Sequence, residues 1–416
     1  MEYMFLFTLA AIIVGFIMTW GIGANDLANI MSTTMGSKAL TVKQALVIAV
    51  IFEFAGAILG GSHVTATIRT GIINTTLLSN TPNILIYGMT STLFAGAIWI
   101  LFASWLGMPV SITNAIVGAL VGFGTIVLGP SSIHWHKVSL IALSWVCSPT
   151  IACITSYFLF QLIKLLIFNA DHPAKRARFY YPIFFVLVGI VLGNMTVLKG
   201  LAHFNIILPK TDNILISLGM GVLVSLIGVL IAKRIPKADE LKRFKQFDYV
   251  EKLFSILMAF TACAMVFAHG SNDVAIAMGP VSAVISIIHN HGNILGEGPK
   301  WLPWFGCLGV VTGLIMYGRK VISTVGSEIT TLTPSRAFAA TIAGASTVIV
   351  STSTGIPVSA TQTLVGGVLG VGLARGIGAL NITVIRNIFM SWLITVPAAA
   401  ILTILFFYLF KAIFGG

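Results

Sequence analysis

Long apolar stretches separated by short polar connections run along most of the chain. Each stretch approaches the roughly 20 residues that an α-helix needs to cross the hydrocarbon core of a bilayer. The pattern predicts an all-α polytopic membrane protein with about twelve transmembrane helices. The predicted spans are 4–20, 44–61, 84–106, 110–128, 138–168, 181–198, 212–232, 253–268, 302–318, 337–353, 360–374 and 388–411.

The composition supports the membrane assignment. Hydrophobic residues make up 57% of the 416 residues and charged residues 9%, whereas a soluble domain has about 25% charged residues. The net charge of +12 comes without a basic patch with interleaved aromatic residues, so it does not indicate nucleic-acid binding. The sequence has no Walker A, nucleophile-elbow or HExxH motif, so we predict neither an enzyme nor an ATP-driven pump, and no catalytic residue or cofactor.

The positive residues predict the orientation. Of the 24 lysines and arginines, 17 lie in odd-numbered connections between the predicted spans and 5 in even-numbered ones. Because lysine and arginine favour cytoplasmic loops, the odd-numbered connections are predicted to be cytoplasmic. We therefore predict a multi-pass protein of the cell membrane with both termini extracytoplasmic. The segment 233–252 has seven of these residues and is predicted to be a cytoplasmic basic linker.

Two motifs occur twice. GANDLA at 23–28 matches GSNDVA at 270–275, and GMPVSIT at 107–113 matches GIPVSAT at 355–361, at offsets of 247 and 248 residues. Seven predicted spans separate the copies of the first motif, so the copies are expected to have opposite orientations, as in the inverted repeats of transporters. The predicted organisation is a first inverted repeat at 1–130, intervening helices at 131–232, the linker at 233–252, a second inverted repeat at 253–380 and a C-terminal transmembrane helix at 381–416.

Three carboxylates lie within or against apolar segments: Asp26, Glu53 and Asp273. A charge inside a bilayer is costly, so such residues are usually functional. Asn, Asp and backbone carbonyls together favour a hard cation such as Na⁺, or a proton. The preceding Gly is expected to let the helix break and expose carbonyls. The alternatives are a carboxylate held by helix-end amides or one exposed at the interface.

The second motif has different chemistry. Pro109 and Pro357 suit the first turn of a helix, and the Ser and Thr that follow supply hydroxyl donors beside its unpaired N–H groups. A helix N-terminus binds anions through these donors and its dipole. Two such ends are expected to form an oxyanion cradle, and bound cations would neutralise the nearby aspartates. The alternative is an ordinary N-cap serine.

His269 precedes the second Asn-Asp pair, and we expect an interfacial hydrogen-bonded histidine there rather than a proton relay.

These motifs resemble those of the PiT inorganic phosphate transporter family. The resemblance rests on GANDLAN at 23–29, GSNDVA at 270–275, the two G-x-P-V-S stretches, Phe52-Glu53, IRTG at 68–71, GRKVI at 318–322 and TPSRAF at 333–338. It implies an inverted-repeat secondary transporter that takes up inorganic phosphate with Na⁺ or H⁺. Family members are often dimers, so a homodimer is an open expectation.

The predicted site residues follow from the motifs and the resemblance. The predicted phosphate-binding residues are Ser111, Thr113, Asn114, Ser359, Thr361 and Gln362. The predicted cation-binding residues are Asn25, Asp26, Asn29, Glu53, Asn272 and Asp273. The expected partners are phosphate, a monovalent cation and the lipid bilayer.

The sequence departs from the family pattern Pro-Val-Ser-Thr-Thr-His. Ile112 and Ala360 replace the first Thr, Asn114 and Gln362 replace the His, Ile276 replaces a common Asn, and Thr341 replaces a usual Glu. The choice between Na⁺ and H⁺ and between phosphate and sulfate therefore stays open. An anion channel is a further alternative, although an anion pore normally avoids fixed negative charge.

Overall fold

The computed structural model describes residues 3–74, 81–201, 206, 208–236, 242–290 and 298–415. Within these ranges the chain is helical, and no strand forms apart from one isolated bridge between Ile73 and Ile133. The described helices are α1 (Met4–Gly36), α2 (Val42–Gly60), α3 (Ser62–Ala66), α4 (Pro82–Leu106), α5 (Ile112–Leu128), α6 (Trp135–Phe168), α7 (Pro173–Leu201), α8 (Lys210–Ala232), α9 (Arg243–His289), α10 (Leu302–Glu328), α11 (Pro334–Ser353), α12 (Ala360–Arg375) and α13 (Ile382–Phe414). Short 3₁₀ turns occur at Pro130–Ser132 and Ile377–Ala379.

Eight described helices are long and apolar enough to cross a membrane: α1, α2, α4, α6, α7, α8, α9 and α13. The protein is therefore an all-helical, multi-pass membrane protein by length and composition. The count is lower than the twelve spans predicted, because the apolar helical segments Ile112–Leu128 and Leu302–Gly318 are shorter. The predicted spans 337–353 and 360–374 fall on α11 and α12, which are rich in Gly, Ala, Ser and Thr. Part of the predicted linker 233–252 is also helical, since α9 begins at Arg243.

The predicted helix break at the first motif is wrong. Helices α1 and α9 continue through the motif as single π-helical turns at Gly23–Leu27 and Gly270–Val274. The N–H groups of Ala28 and Ala275 donate to the carbonyls of Asn25 and Asn272. A π turn widens the helix without ending it, and such turns are frequent at functional sites.

The glycines of these turns permit two close helix crossings. A Cβ atom at Gly23 would collide with the carbonyl of Val310 on α10, and one at Gly270 with the carbonyl of Glu53 on α2. Conversely, Gly56 of α2 meets the carbonyl of Phe267, and Gly313 of α10 meets that of Trp20. The helix pairs α2/α9 and α10/α1 therefore make the same two backbone contacts. Small residues allow this approach between membrane helices.

The chain turns at matching places before α5 and α12. Gly107 has φ 72° and Gly355 has φ 77°, and both lie in the left-handed region where glycine is favoured. Each turn leads through a Pro-Val pair to a serine that begins the next helix. The two copies of the second motif thus have one local structure.

The connections between the predicted spans contact others of the same parity: even-numbered ones contact even-numbered ones, and odd-numbered ones contact odd-numbered ones. Among even-numbered connections, the Thr67 hydroxyl donates to the Gly355 carbonyl at 2.8 Å and His134 Nδ1 lies 3.0 Å from the Gly71 carbonyl. Among odd-numbered ones, Arg375 Nη1 donates to the Thr330 hydroxyl at 2.7 Å. Connections predicted to share a side of the membrane therefore meet one another.

Candidate ion and substrate site at the repeated motifs

Asn25 and Asn272 join the two motifs in each half of the chain. Asn25 Oδ1 accepts the Val110 N–H at 3.2 Å, and Asn272 Oδ1 accepts the Val358 N–H at 3.3 Å. The two valines occupy matching positions of the second motif. The structure therefore brings the repeated motifs together, once in each half.

The amide nitrogens of the same asparagines also contact the second motif. Asn25 Nδ2 donates to the Met108 carbonyl at 2.9 Å, and Asn272 Nδ2 donates to the Val358 carbonyl at 2.5 Å. Both side chains are fully buried. These asparagines hold the turns before α5 and α12, so their first role is to position the site.

Asp26 contacts the N-terminus of α5. Its Oδ2 accepts the Ile112 N–H at 3.3 Å, while its buried Oδ1 has no hydrogen-bond partner. The contact of Oδ2 matches the alternative given in the sequence analysis, a carboxylate held by helix-end amides. Asp26 also lies close enough to Asp273 and His269 for electrostatic interaction. One carboxylate oxygen is thus held by a backbone N–H, and the Thr361 side chain lies close to the carboxylate.

Asp273 has different neighbours. Its Oδ2 lies 3.5 Å from His269 Nε2, and His269 Nδ1 lies 2.8 Å from Glu53 Oε1. Both Glu53 and His269 are fully buried and Asp273 is 2% exposed. The expectation of an interfacial His269 is therefore wrong, because this side chain lies inside the protein between two carboxylates. His269 lies between Glu53 and Asp273 and contacts both carboxylates.

The serines of the second motif are helix N-caps. Ser111 Oγ accepts the Asn114 N–H at 3.3 Å, and Ser359 Oγ accepts the Gln362 N–H at 3.2 Å. Asn114 Oδ1 in turn accepts the Ser111 hydroxyl at 3.1 Å. The N-cap alternative is therefore correct as local geometry. A cap leaves other first-turn N–H groups without intrahelical acceptors, so an anion can still be held there.

The two capped helix ends meet. The Thr113 hydroxyl, in the first turn of α5, donates to the Val358 carbonyl just before α12 at 3.0 Å. Thr361 and Gln362, in the first turn of α12, are 2% exposed, and their Oγ1 and Oε1 atoms have no hydrogen-bond partner. All six predicted phosphate-binding residues therefore belong to one buried pair of helix N-termini.

Unpartnered buried polar atoms concentrate at this place. Among the described residues, six of thirteen such side-chain atoms belong to the two motifs, to the residue directly after a motif or to His269. They are Asp26 Oδ1, Asn29 Oδ1, Asp273 Oδ2, His269 Nε2, Thr361 Oγ1 and Gln362 Oε1. Leaving a buried polar group unsatisfied costs about 1–3 kcal/mol. Carboxylate, amide and hydroxyl oxygens form a donor set that suits a hard cation.

The departures from the family pattern have local explanations. Ile112 acts through its backbone N–H, which Asp26 accepts. The hydroxyl of Thr341 lies 3.1 Å from that of Thr33 on α1, so this position makes a neutral hydrogen bond. Ile276 and Ala360 are buried apolar side chains.

Comparisons with known proteins decide the family. A model described as the phosphate transporter family matches residues 22–403. The chain belongs to the phosphate transporter family. The resemblance drawn from the motifs is thereby confirmed, and the protein is a phosphate transporter of the membrane by family.

Relatives of this phosphate transporter cover nearly the whole chain. A Haemophilus influenzae protein named a phosphate permease is 49% identical over 409 residues, covering 96% of each chain. The Arabidopsis thaliana inorganic phosphate transporter 2-1, chloroplastic, is 36% identical over 435 residues, covering 98% of this chain and 73% of that protein. A solved structure described as the sodium-dependent phosphate transporter superposes with a TM-score of 0.89 at 37% identity, covering 98% of this chain and all of that one.

Proposed function

We propose that this phosphate transporter is a cation-coupled symporter, with Na⁺ as the favoured coupling ion and H⁺ as the alternative. The observation that supports it most strongly is the cluster of unpartnered buried oxygens around the duplicated Asp26 and Asp273. The structural neighbour is sodium-dependent, which supports Na⁺ over H⁺.

The charges explain why the two ions would depend on each other. Two carboxylates beside a phosphate anion repel it, and the low local dielectric strengthens that repulsion. A cation bound to the carboxylates removes negative charge and adds positive charge beside the anion. Phosphate would therefore bind well only after the cation, and the cation would be held more tightly once phosphate is present.

The proposed cation ligands are centred on the two aspartates. Asp26 Oδ1 and Asn29 Oδ1 have no hydrogen-bond partner, and Asp273 Oδ2 has only the contact with His269 Nε2 at 3.5 Å. Asn25 and Asn272 would orient these ligands through the contacts with Val110 and Val358. Glu53 would act on the site through His269 rather than as a direct ligand.

The proposed phosphate ligands are the groups at the starts of α5 and α12. The Thr361 hydroxyl has no hydrogen-bond partner and would donate to the anion, together with the Ser359 hydroxyl and the amides of Asn114 and Gln362. The hydroxyls of Ser111 and Thr113 donate to Asn114 Oδ1 and to the Val358 carbonyl, so each would have to turn from that acceptor to the anion. Because Asp26 already accepts an N–H from α5, the N-terminus of α12 is expected to contribute more of the backbone donors.

The membrane arrangement is part of the same proposal. The seven spans predicted between the copies are an odd number, and the copies make matching contacts, which together support two inverted repeats. The odd-numbered connections would be cytoplasmic and both termini outside. On a cysteine-free background, Lys245→Cys is expected to resist an impermeant thiol reagent added outside cells, and Lys300→Cys is expected to react. The reverse labelling pattern would contradict the assigned orientation.

The experiment that tests the function is uptake of labelled phosphate into proteoliposomes. Either a Na⁺ or a H⁺ gradient is imposed alone, and sulfate is added as a competitor. We expect uphill accumulation with the Na⁺ gradient and little competition by sulfate. Downhill flux that neither gradient accelerates would contradict symport, and full competition by sulfate would contradict phosphate selectivity.

A further inference from the structure

A basic pocket lies far from the aspartates. A cavity of about 320 Å³ is lined by ends of helices α6, α9, α11 and α12, with Lys164, Arg336, Arg375 and Glu251 among its side chains. Glu251 and Asp273 are both on α9, 22 residues apart, which is about 33 Å of helix. The pocket is therefore separate from the proposed transport site.

The two arginines of this pocket are held side by side. Arg336 Nη1 and Arg375 Nη1 donate to the same carbonyl, that of Thr331, at 3.0 and 3.3 Å. Lys164 Nζ donates to the Ala374 carbonyl, one residue before Arg375, at 3.1 Å. Three cations are thus fixed around one small cavity by neutral carbonyl groups.

The carboxylate in the pocket has another role. Glu251 accepts the N–H of Ser335 at 2.8 Å and its hydroxyl at 2.9 Å, which caps the start of α11. With one carboxylate against three cations, the lining residues have an excess of two positive charges. Like charges held together repel, and a bound anion would relieve the repulsion. Arginine suits a phosphate group in particular, because its planar donors bind two oxygens at once.

The surroundings favour a lipid as the source of that group. The pocket wall includes Phe160 and Phe168 of α6, and the adjacent Leu162 and Leu165 are 45% and 68% exposed on a membrane-spanning helix. Glu251, Arg336 and Arg375 belong to odd-numbered connections, where most of the lysines and arginines lie, and Lys164 is in the last turns of the predicted span 138–168, next to another odd-numbered connection. Basic pockets between transmembrane helices at such a face bind anionic lipid headgroups.

We propose that this pocket binds a phosphate group, delivered by an anionic phospholipid headgroup at the membrane surface. Free inorganic phosphate has the same chemistry, so the experiment must separate the two sources. Binding would connect the ends of four helices and stabilise the folded protein against heat.

The test uses the purified full-length protein in a neutral detergent. Native mass spectrometry measures binding of dioleoylphosphatidylglycerol, dioleoylphosphatidylcholine and inorganic phosphate in separate titrations. Hydrogen–deuterium exchange of the unmodified protein locates each ligand at residues 330–336 and 372–376. We expect the phosphatidylglycerol to bind at least about tenfold more tightly than the phosphatidylcholine and to protect those two segments. Protection by inorganic phosphate alone would assign the pocket to the free anion and overturn the lipid source.

Variants separate the pocket from general surface charge. Arg336→Gln and Arg375→Gln together are expected to weaken phosphatidylglycerol binding by about tenfold or more, because each removes a charge-assisted hydrogen bond. Lys164→Gln leaves the Thr331 contacts in place and should weaken it less, which keeps the test valid if the double variant folds poorly. The matched control is Arg386→Gln, an exposed arginine of α13. Equal binding of both lipids, or equal loss in the control, would overturn the proposal.

Discussion

The two copies of the first motif have the same backbone contacts but different electrostatic surroundings. Gly23 meets Val310 where Gly270 meets Glu53, and Ile22 precedes the first motif where His269 precedes the second. The first copy is thus bordered by two apolar side chains and the second by a buried acid and a histidine. Asp26 contacts a helix N-terminus, whereas Asp273 contacts His269.

The two copies of the motif thus have one scaffold, whereas the surroundings of their aspartates differ. The glycine crossings and the asparagine contacts with Val110 and Val358 recur because they fix helix positions. The charge of Asp26 is balanced by a helix end, and that of Asp273 by a side chain which itself interacts with Glu53. We therefore expect the two aspartates, as the proposed cation ligands, to respond differently when their neighbours are changed.

The largest effect is expected from breaking the Glu53–His269 pair. Glu53→Gln or His269→Gln alone removes one partner of a buried pair and should lower the free energy of unfolding by about 3–5 kcal/mol if the pair is ionised. The double change Glu53→Val with His269→Ile reproduces the apolar surroundings of the first copy. It should recover much of the stability while sodium-driven uptake stays low. Thermal unfolding and proteoliposome uptake measure the two outcomes.

One result would contradict a functional difference between the two copies. If the double variant takes up phosphate as the unmodified protein does, the acid and histidine beside Asp273 have no part in coupling. Ile22→Val is the matched control in the first copy. It should change the stability little and leave phosphate uptake unchanged.

The next effect concerns the aspartates themselves. Asp26→Asn and Asp273→Asn keep the shape of the side chain and delete one charge, so the cation should leave and phosphate affinity should fall by about 5- to 150-fold, the usual range of coupling between two sites. Asp273→Asn should have the larger effect, because it also disturbs His269. Calorimetric titration with phosphate in Na⁺ buffer measures both.

Asp212→Asn provides the control for this pair, since Asp212 is an exposed acid in the first turn of α8. It should bind phosphate normally. Tighter phosphate binding in Asp26→Asn would contradict the cation-site role, because it would show that the carboxylate simply repels the anion.

The smallest effect is expected at the helix caps. Ser359→Ala should weaken phosphate binding by about tenfold. Ser111→Ala should weaken it less, because Asp26 already accepts an N–H at the start of α5. Asn381→Ala is the matched control, since Asn381 caps α13 through the Val384 N–H. It should cost stability, about 0.5–2 kcal/mol, and leave phosphate binding unchanged. Equal losses in all three variants would mean that only helix capping is being measured.

The sequence predicted the parts of this site that repetition reveals. The contacts of Asn25 with Val110 and of Asn272 with Val358 join motifs that are far apart in sequence but recur at nearly one offset. His269 was noted from the sequence but was assigned to the interface, because its counterpart is Ile22 and it gives no repeat signal. Its position directly before the motif, on the same helix as Asp273 and four residues away, was the available clue.

The helix geometry was harder to predict for a physical reason. A glycine before Asn-Asp is compatible both with a broken helix and with a π turn, and only packing against Val310 and Glu53 decides between them. Apolar runs likewise cannot show that 253–268 and the motif after it belong to one helix, α9. Thr341 was noted as a departure, but its hydrogen bond with Thr33 joins α1 and α11, which a single sequence does not place side by side.

The central claim is that phosphate binds together with a cation held by Asp26 and Asp273, and calorimetry on the unmodified protein tests it most directly. Phosphate is titrated with Na⁺ present or replaced by choline at several pH values, and Na⁺ is then titrated with and without phosphate. The account predicts that Na⁺ tightens phosphate binding and that phosphate tightens Na⁺ binding by the same factor. Phosphate affinity that is the same with either cation and at every pH would contradict it.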